Sequence, residues 1–454
     1  MVTRSLALLL SAAALAVAAA APVRAQTPGF EPGPCHTDTP EGARCGTVRV
    51  PENRERPGRM LALNVVVLPA RSAAPVREAI AVFGGGPGQA ATDMGWAGEK
   101  FDALRGERDI LFVDQRGTGR SAPLQCQLRD EADPQSYLGD YLPPERTARC
   151  LEELRQRTDL TRYGYLELAQ DTEAVRTALG YTRLDLWGAS YGTRAAQVYM
   201  RAYPRSVRSV VLEGVVPPGF YQPQGYAQAM EAALVGLEDD CGADAACAAA
   251  FPGFAREVRA VADRLERTPG TAEILDPETG ERLRLTLTRD TYADLIRRML
   301  YSVGSAAQIP YVVHRAYLGD YRPAVRTALQ DRRGYQQYLY WGLSLSITCS
   351  EDVPFVDRRA AARDNGRTLL GDWRVRQQVA ACRGWPTYSV PADYHRPAPS
   401  PIPTLLVSGE LDPVTPASGG EAAAALLPNS LHVVVPSAAH SYGGMSGGEC
   451  VDSL

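Results

Sequence analysis

A serine bracketed by glycines stands where an apolar strand pattern gives way to a helical one, and few folds accommodate that arrangement. Trp187-Gly188-Ala189-Ser190-Tyr191-Gly192-Thr193 reads G-x-S-x-G. It follows the apolar run Leu184 to Trp187 and precedes the helical stretch Arg194 to Tyr203, which stops at Pro204. A strand that turns this sharply into a helix leaves no room for side chains two positions either side of the serine, so glycines at 188 and 192 meet a steric requirement. In a chain with 41 glycines the pentapeptide alone arises easily by chance. Its place between strand and helix is what gives it weight.

The flanking sequence supplies the sheet that such a turn needs. Short apolar runs alternate with helical patterns between residues 45 and 215, which points to a parallel sheet covered by helices on both faces. The runs Leu61 to Leu68, Ala79 to Phe83, Ile110 to Val113, Leu184 to Trp187 and Val207 to Leu212 read as strands. Leu168 to Leu179 reads as a helix, with Gly180 where a left-handed cap belongs. Beyond Pro401, Thr404 to Val407 and His432 to Val435 read as further strands of the same sheet. The roughly 180 residues between are far too long for a loop, since structureless connections beyond about 15 residues are uncommon in compact domains. They are expected to form an inserted, mainly helical cap, bounded by Val216-Pro217-Pro218 and by the Pro-rich stretch 397–403. The expected organisation is a signal segment at 1–25, a core at 26–215, the cap at 216–397, and the rest of the core at 398–454. The fold class this implies is α/β, of the α/β-hydrolase type.

A lone serine is a poor nucleophile at neutral pH and needs a base, with a third group to orient that base. Asp412, in Val407-Ser408-Gly409-Glu410-Leu411-Asp412-Pro413, follows a predicted strand. His440 follows the next one in the same manner. Both positions are carboxyl ends of strands, where the active-site groups of open α/β sheets collect. Taken singly, Asp412 is an ordinary turn residue before proline and His440 an ordinary loop histidine. With Ser190 they make the order Ser, Asp, His of the α/β-hydrolases. Phe83-Gly84-Gly85-Gly86-Pro87-Gly88 follows another strand and is expected to aim the N–H of Gly85 or Gly86 at a developing oxyanion, with the second N–H from Tyr191. Each such donor is typically worth about 3–4 kcal/mol in the transition state. The glycine run lacks the Lys-Ser/Thr ending of a phosphate loop and the acidic partner of a dinucleotide fingerprint. No cofactor is implied.

Composition narrows the partners. With 454 residues, 45% hydrophobic and 22% charged, and a net charge of -4, the chain has no broad positive field, so nucleic acid is not an expected partner. The five histidines are scattered and no Cys-x-x-Cys occurs, which argues against a metal site. Arg4, the apolar run Leu6 to Ala21, and Val23-Arg24-Ala25 before Gln26 have the layout of a signal peptide cleaved after Ala25. Export to a periplasmic or extracellular compartment without stable membrane association is therefore expected, because the run is short for a span. In an oxidising compartment the nine cysteines become readable as disulfides. Proximity suggests Cys35 with Cys45, Cys126 with Cys150, Cys241 with Cys247 and Cys349 with Cys382, leaving Cys450, although spacing alone does not determine connectivity.

Gly84 to Gly88, Asp114-Gln115-Arg116-Gly117-Thr118-Gly119-Arg120-Ser121, Gly188 to Thr193, and Gly409 to Pro416 (GELDPVTP) together resemble the secreted tripeptidyl and prolyl aminopeptidases of the α/β-hydrolase class. The resemblance runs over most of the mature chain and places Ser190, Asp412 and His440 on that group's triad positions. It implies a peptide substrate with a free N-terminus and a cap that measures the substrate's end. Two departures stand out. Gly84 occupies the place where prolyl aminopeptidases usually carry His, and the sequence stops at Leu454 where such proteins generally continue into a final helix, so a truncated sequence is expected. Thr348-Cys349-Ser350-Glu351-Asp352 is similar to the group's Cys and acidic stretch, which makes Glu351 or Asp352 the expected partner of the substrate ammonium. An acidic pair beside a turn is otherwise a solvated surface or a helix N-terminus. Glu213 and Glu410 are the other candidates. A carboxylesterase or lipase-like hydrolase would use the same triad, since the fold hosts many reactions. A non-catalytic binding protein would not require all three groups. Oligomeric state is not legible.

Overall fold

A computed structural model describes residues 29–37, 39–56, 58–396 and 398–454. The expected signal segment 1–25 lies outside the described residues. Among the described residues nine strands form one sheet: β1 (Phe30–Gly33), β2 (Arg44–Pro51), β3 (Met60–Leu68), β4 (Glu78–Phe83), β5 (Asp109–Val113), β6 (Arg183–Ala189), β7 (Val207–Glu213), β10 (Thr404–Gly409) and β11 (Ser430–Val435). Two more, β8 (Gly270–Leu275) and β9 (Arg282–Leu287), pair as a separate antiparallel hairpin. The sheet order is β1-β2-β3-β5-β4-β6-β7-β10-β11. Pairing is antiparallel from β1 to β5 and parallel from β5 to β11. Every residue of β5 is buried, and all but the first of β4, as expected of strands covered on both faces.

Each predicted strand is present and runs one or two residues past the apolar segment that marks it. The helix Tyr165–Leu179 ends on Gly180 at φ 77°, where only glycine adopts a left-handed cap at no steric cost. Two features were not read from sequence. β1 and β2 extend the sheet on its antiparallel edge, and Arg44–Pro51 hides among them because Arg44 and Arg49 interrupt its apolar pattern. Between β7 and β10 the chain is helical, as expected, except for the β8–β9 hairpin. The four disulfides are the four that proximity suggests, and Cys450 is free and exposed.

The 114–121 loop shows why its sequence is so particular. Asp114 is fully buried and accepts from Asn64 Nδ2 (2.8 Å), from the N–H (3.0 Å) and hydroxyl (2.8 Å) of Thr92, and from the Arg120 N–H (3.1 Å). A Cβ on Gly119 would fall 2.1 Å from Asp114 Oδ2, so the loop closes only around glycine. Arg116, also fully buried, donates two bonds to Asp171 (2.6 and 2.8 Å) and further bonds to the carbonyls of Glu52 and Arg162. It thereby ties the end of β2, the loop after β5 and the helix Tyr165–Leu179 together. Arg116→Met would leave the buried Asp171 carboxylate with the partly exposed Arg54 as its remaining cation and orphan the carbonyls of Glu52 and Arg162, so it is expected to lower unfolding free energy by about 3 kcal/mol. The midpoint of urea unfolding measures this; an unchanged midpoint would remove the loop from the fold's main supports.

Candidate active site

The turn after β6 holds Ser190 at φ 55° and ψ −126°, a conformation that side-chain-bearing residues rarely adopt. Its N–H donates to the Glu213 carbonyl at the end of β7 (2.7 Å), and the helix Tyr191–Ala202 begins at the next residue. The steric requirement on 188 and 192 is explicit: a Cβ on Gly188 would lie 2.4 Å from the Gly192 carbonyl oxygen, and one on Gly192 would lie 2.3 Å from that of Phe83. Strain of this kind costs of order 1–3 kcal/mol and persists only where the surroundings over-determine it.

Asp412 and His440 come from the loops after β10 and β11. Asp412 Oδ2 lies 2.7 Å from His440 Nδ1. Its Oδ1 accepts the N–H groups of Val414 and Thr415, each at 2.8 Å, so the carboxylate is oriented from both sides. Thr415 Oγ1 donates to Asp412 Oδ2 (2.7 Å) and sits 3.1 Å from His440 Nδ1. Sequence reasoning passed over Thr415, although it lies within the GELDPVTP segment. The Tyr301 ring meets the His440 ring edge-on at 5.1 Å. A Cβ on Gly214 would lie 3.1 Å from His440 Cε1, so the imidazole rests against the residue next to the carbonyl that clamps Ser190. Ser190 and His440 border one cavity of about 920 Å³, while Asp412 stays buried behind the histidine.

The expected oxyanion donors Gly85, Gly86 and Tyr191 all border the cavity, and no acceptor takes the Gly86 N–H among the described residues. Gly85 is a correction. Its N–H already donates to Gln89 Oε1 (3.0 Å), and its carbonyl accepts the Gln89 N–H (3.1 Å), so Gly85 holds the loop's shape and has no free donor for an oxyanion.

The sequence pattern described as the alpha/beta hydrolase fold matches residues 79–442. This chain belongs to the α/β-hydrolase fold family. Serine protease Hip1 of Mycobacterium tuberculosis is 26% identical over 430 residues, covering 85% of this chain and 80% of the relative. Tripeptidyl aminopeptidase of Streptomyces lividans is 29% identical over 231 residues, covering 44% of this chain and 41% of the relative. Among solved structures, proline iminopeptidase of Mycobacterium smegmatis aligns over 90% of this chain and 95% of its own at 16% identity, with a TM-score of 0.40. The α/β-hydrolase is thus a serine hydrolase similar to peptidases, as its motifs led one to expect.

The hydrolase does not present Glu351 or Asp352 to a substrate, and here the expectation is corrected. Both lie in a π-helical turn, Thr348–Asp352, and are fully buried. Neither borders the cavity. Glu351 accepts from Tyr388 Oη (2.5 Å), from Tyr394 Oη and from the Tyr165 N–H (3.0 Å); burial pushes its carboxyl up to about 7, which makes it a poor fixed anion. Asp352 pairs with Arg194 (2.7 Å) and accepts from Tyr191 Oη. Asp352 therefore anchors the inserted segment to the helix that begins at Tyr191, and Glu351 anchors it to the start of the helix Tyr165–Leu179. Of the other two candidates, Glu410 is exposed and holds the Ser437 N–H (2.9 Å) away from the cavity. Glu213 borders the cavity, accepting from Trp187 Nε1 (2.8 Å) and pairing with Lys100 (3.1 Å).

Proposed function

We propose that this hydrolase is an exported exopeptidase that releases residues or short peptides from free N-termini through Ser190, His440 and Asp412. In this reading His440 Nε2 takes the Ser190 proton as Oγ attacks the scissile carbonyl. The Asp412 carboxylate holds Nδ1 protonated and steadies the imidazolium. The N–H groups of Gly86 and Tyr191 stabilise the tetrahedral oxyanion, His440 then protonates the departing amine, and water attacks the acyl-enzyme by the same route. Every step uses groups of the chain itself and water.

The observation that carries the exopeptidase reading is the charge on the core side of the cavity. Glu213 and Asp452 both border it and share a single cation, Lys100, leaving negative charge for an ammonium group. The four disulfides support an oxidising compartment. No helix among the described residues is long and apolar enough to cross a membrane. Acetylating the substrate N-terminus is expected to lower kcat/KM by about 10²-fold, because it removes the ammonium that would balance the charge Lys100 leaves on Glu213 and Asp452. Glu213→Gln should lower cleavage of free-amine substrates and spare acetylated ones. Equal cleavage of acetylated and free peptides by the wild type would overturn the amine anchor. A carboxylesterase is the second reading, favoured by the aromatic wall of Trp96, Trp187, Phe220 and Tyr226, and preference for a butyrate ester over every peptide would establish it.

A further inference from the structure

The part of the cavity lining that comes from the segment between β7 and β10 carries the opposite charge. It is built from three helices between β7 and β10: Arg289–Met299, Arg322–Tyr338 and Trp373–Ala381. Arg297, Arg298 and Arg374 border the cavity, and Arg129 and Arg332 lie buried close behind. Among the described residues two carboxylates answer these guanidinium groups. Asp294, fully buried, takes Arg297 (3.0 Å) and Arg332, and Asp331 takes Arg298 (3.0 Å). Among the described residues Arg129 donates to the carbonyls of Leu128 and Tyr141 and to no carboxylate.

Arg374 is the residue left over. Its side chain is 2% exposed, yet it forms no hydrogen bond or ion pair among the described residues, and Nε and Nη1 are buried without partners. Its guanidinium carbon lies 3.4 Å from the centroid of the Tyr141 ring, which fixes the group in place through a cation–π contact but satisfies none of its N–H donors. A buried guanidinium without an acceptor is costly, and such groups are normally paired. Burial and the nearby Arg297 both push its proton affinity down, the direction a missing anion would reverse. Aromatic rings also hold the neighbouring cation: Arg298 lies 4.0 Å from the Tyr335 ring centroid and 4.6 Å from that of Tyr301, whose ring touches His440. The basic wall is thus continuous with the catalytic histidine.

We propose that Arg297, Arg298 and Arg374 form an anion subsite that takes a carboxylate of the substrate, with Arg374 as its principal donor. The inference rests on the peptidase reading for the source of that carboxylate, which is either the α-carboxylate of a short peptide or an Asp or Glu side chain. With Glu213 and Asp452 also on its lining, the cavity offers charges of both signs to hold a short chain at two points. Substrates with a carboxylate at the right distance from the scissile bond are selected over neutral ones.

The test compares matched peptides that differ only in one carboxylate, using the full-length protein and mass-spectrometric detection of products. One series has a free or an amidated C-terminus; the other has Glu or Gln at each successive position. One pair is expected to show kcat/KM about tenfold or more higher for the carboxylate, the usual range for a charge-assisted bond to a buried partner. A response in the C-terminal series identifies the α-carboxylate; a response at one Glu position identifies a side chain. The ratio should collapse toward one in Arg374→Met and in Arg298→Gln, and be partly kept in Arg374→Lys. The wild-type ratio decides the matter even if a variant fails to fold. Equal cleavage of both members of every pair, with neutral peptides still cut, overturns the subsite and leaves the peptidase reading intact. If no peptide is cleaved but a butyrate ester is hydrolysed, the peptidase reading falls. The subsite is then judged on a hydrogen succinate ester against the butyrate ester: faster hydrolysis of the succinate upholds it, and equal rates overturn it.

Discussion

Ser190→Ala is expected to abolish turnover and labelling by a fluorophosphonate, with kcat falling by about 10⁶-fold toward the residual 10³–10⁴-fold acceleration over water that binding and oxyanion donors supply. The loss should be chemical and not structural. Ser190 already occupies φ 55°, so alanine meets the same backbone strain, and no described residue depends on the hydroxyl for a hydrogen bond. The clamp from the Ser190 N–H to the Glu213 carbonyl (2.7 Å) is a backbone contact and survives the change. Thermal midpoint and circular dichroism should therefore match the wild type while activity disappears. Undiminished labelling of the variant would show that another nucleophile carries the reaction.

Asp412→Asn should be nearly as damaging, at about 10⁴-fold in kcat, because it alters a tautomer and leaves the packing alone. The Asn Oδ1 can keep the N–H groups of Val414 and Thr415, which now reach Asp412 Oδ1 at 2.8 Å each. The amide nitrogen would then stand 2.7 Å from His440 Nδ1, where Oδ2 stands in the wild type. An N–H donor there turns Nδ1 into an acceptor and moves the ring proton to Nε2, the nitrogen that must accept the Ser190 proton. The imidazolium also loses its counter-charge. Stability should hold, since the geometry is kept, and the readout is kcat against an unchanged thermal midpoint. Activity within about tenfold of the wild type would remove Asp412 from the triad.

The fold and the meeting of Ser190, His440 and Asp412 at one place were legible because the signals are local or ordered along the chain. A strand buried on both faces must be apolar, as Ile110 to Val113 is. The elbow needs glycine on both sides of Ser190 for contacts with its own turn and with the strand beside it. Disulfide partners no more than 33 residues apart are brought together by the same local elements that separate them. The side chains that depend on distant partners were not legible. Glu351 and Asp352 have the right chemistry to hold an ammonium group, but Tyr165, Tyr191 and Arg194 reach them from more than 150 residues away and bury them outside the cavity. Gly85 sits in the right loop, yet the side chain of Gln89 claims its N–H. Arg374 carries no motif at all, and only the convergence of three helices shows that its charge is buried, unanswered and beside the catalytic cavity. Local sequence sets which backbone turns are sterically possible and the order in which Ser190, Asp412 and His440 arrive. Tertiary structure alone decided which charges are neutralised by the protein and which remain for a substrate, because burial and pairing depend on partners far away along the chain.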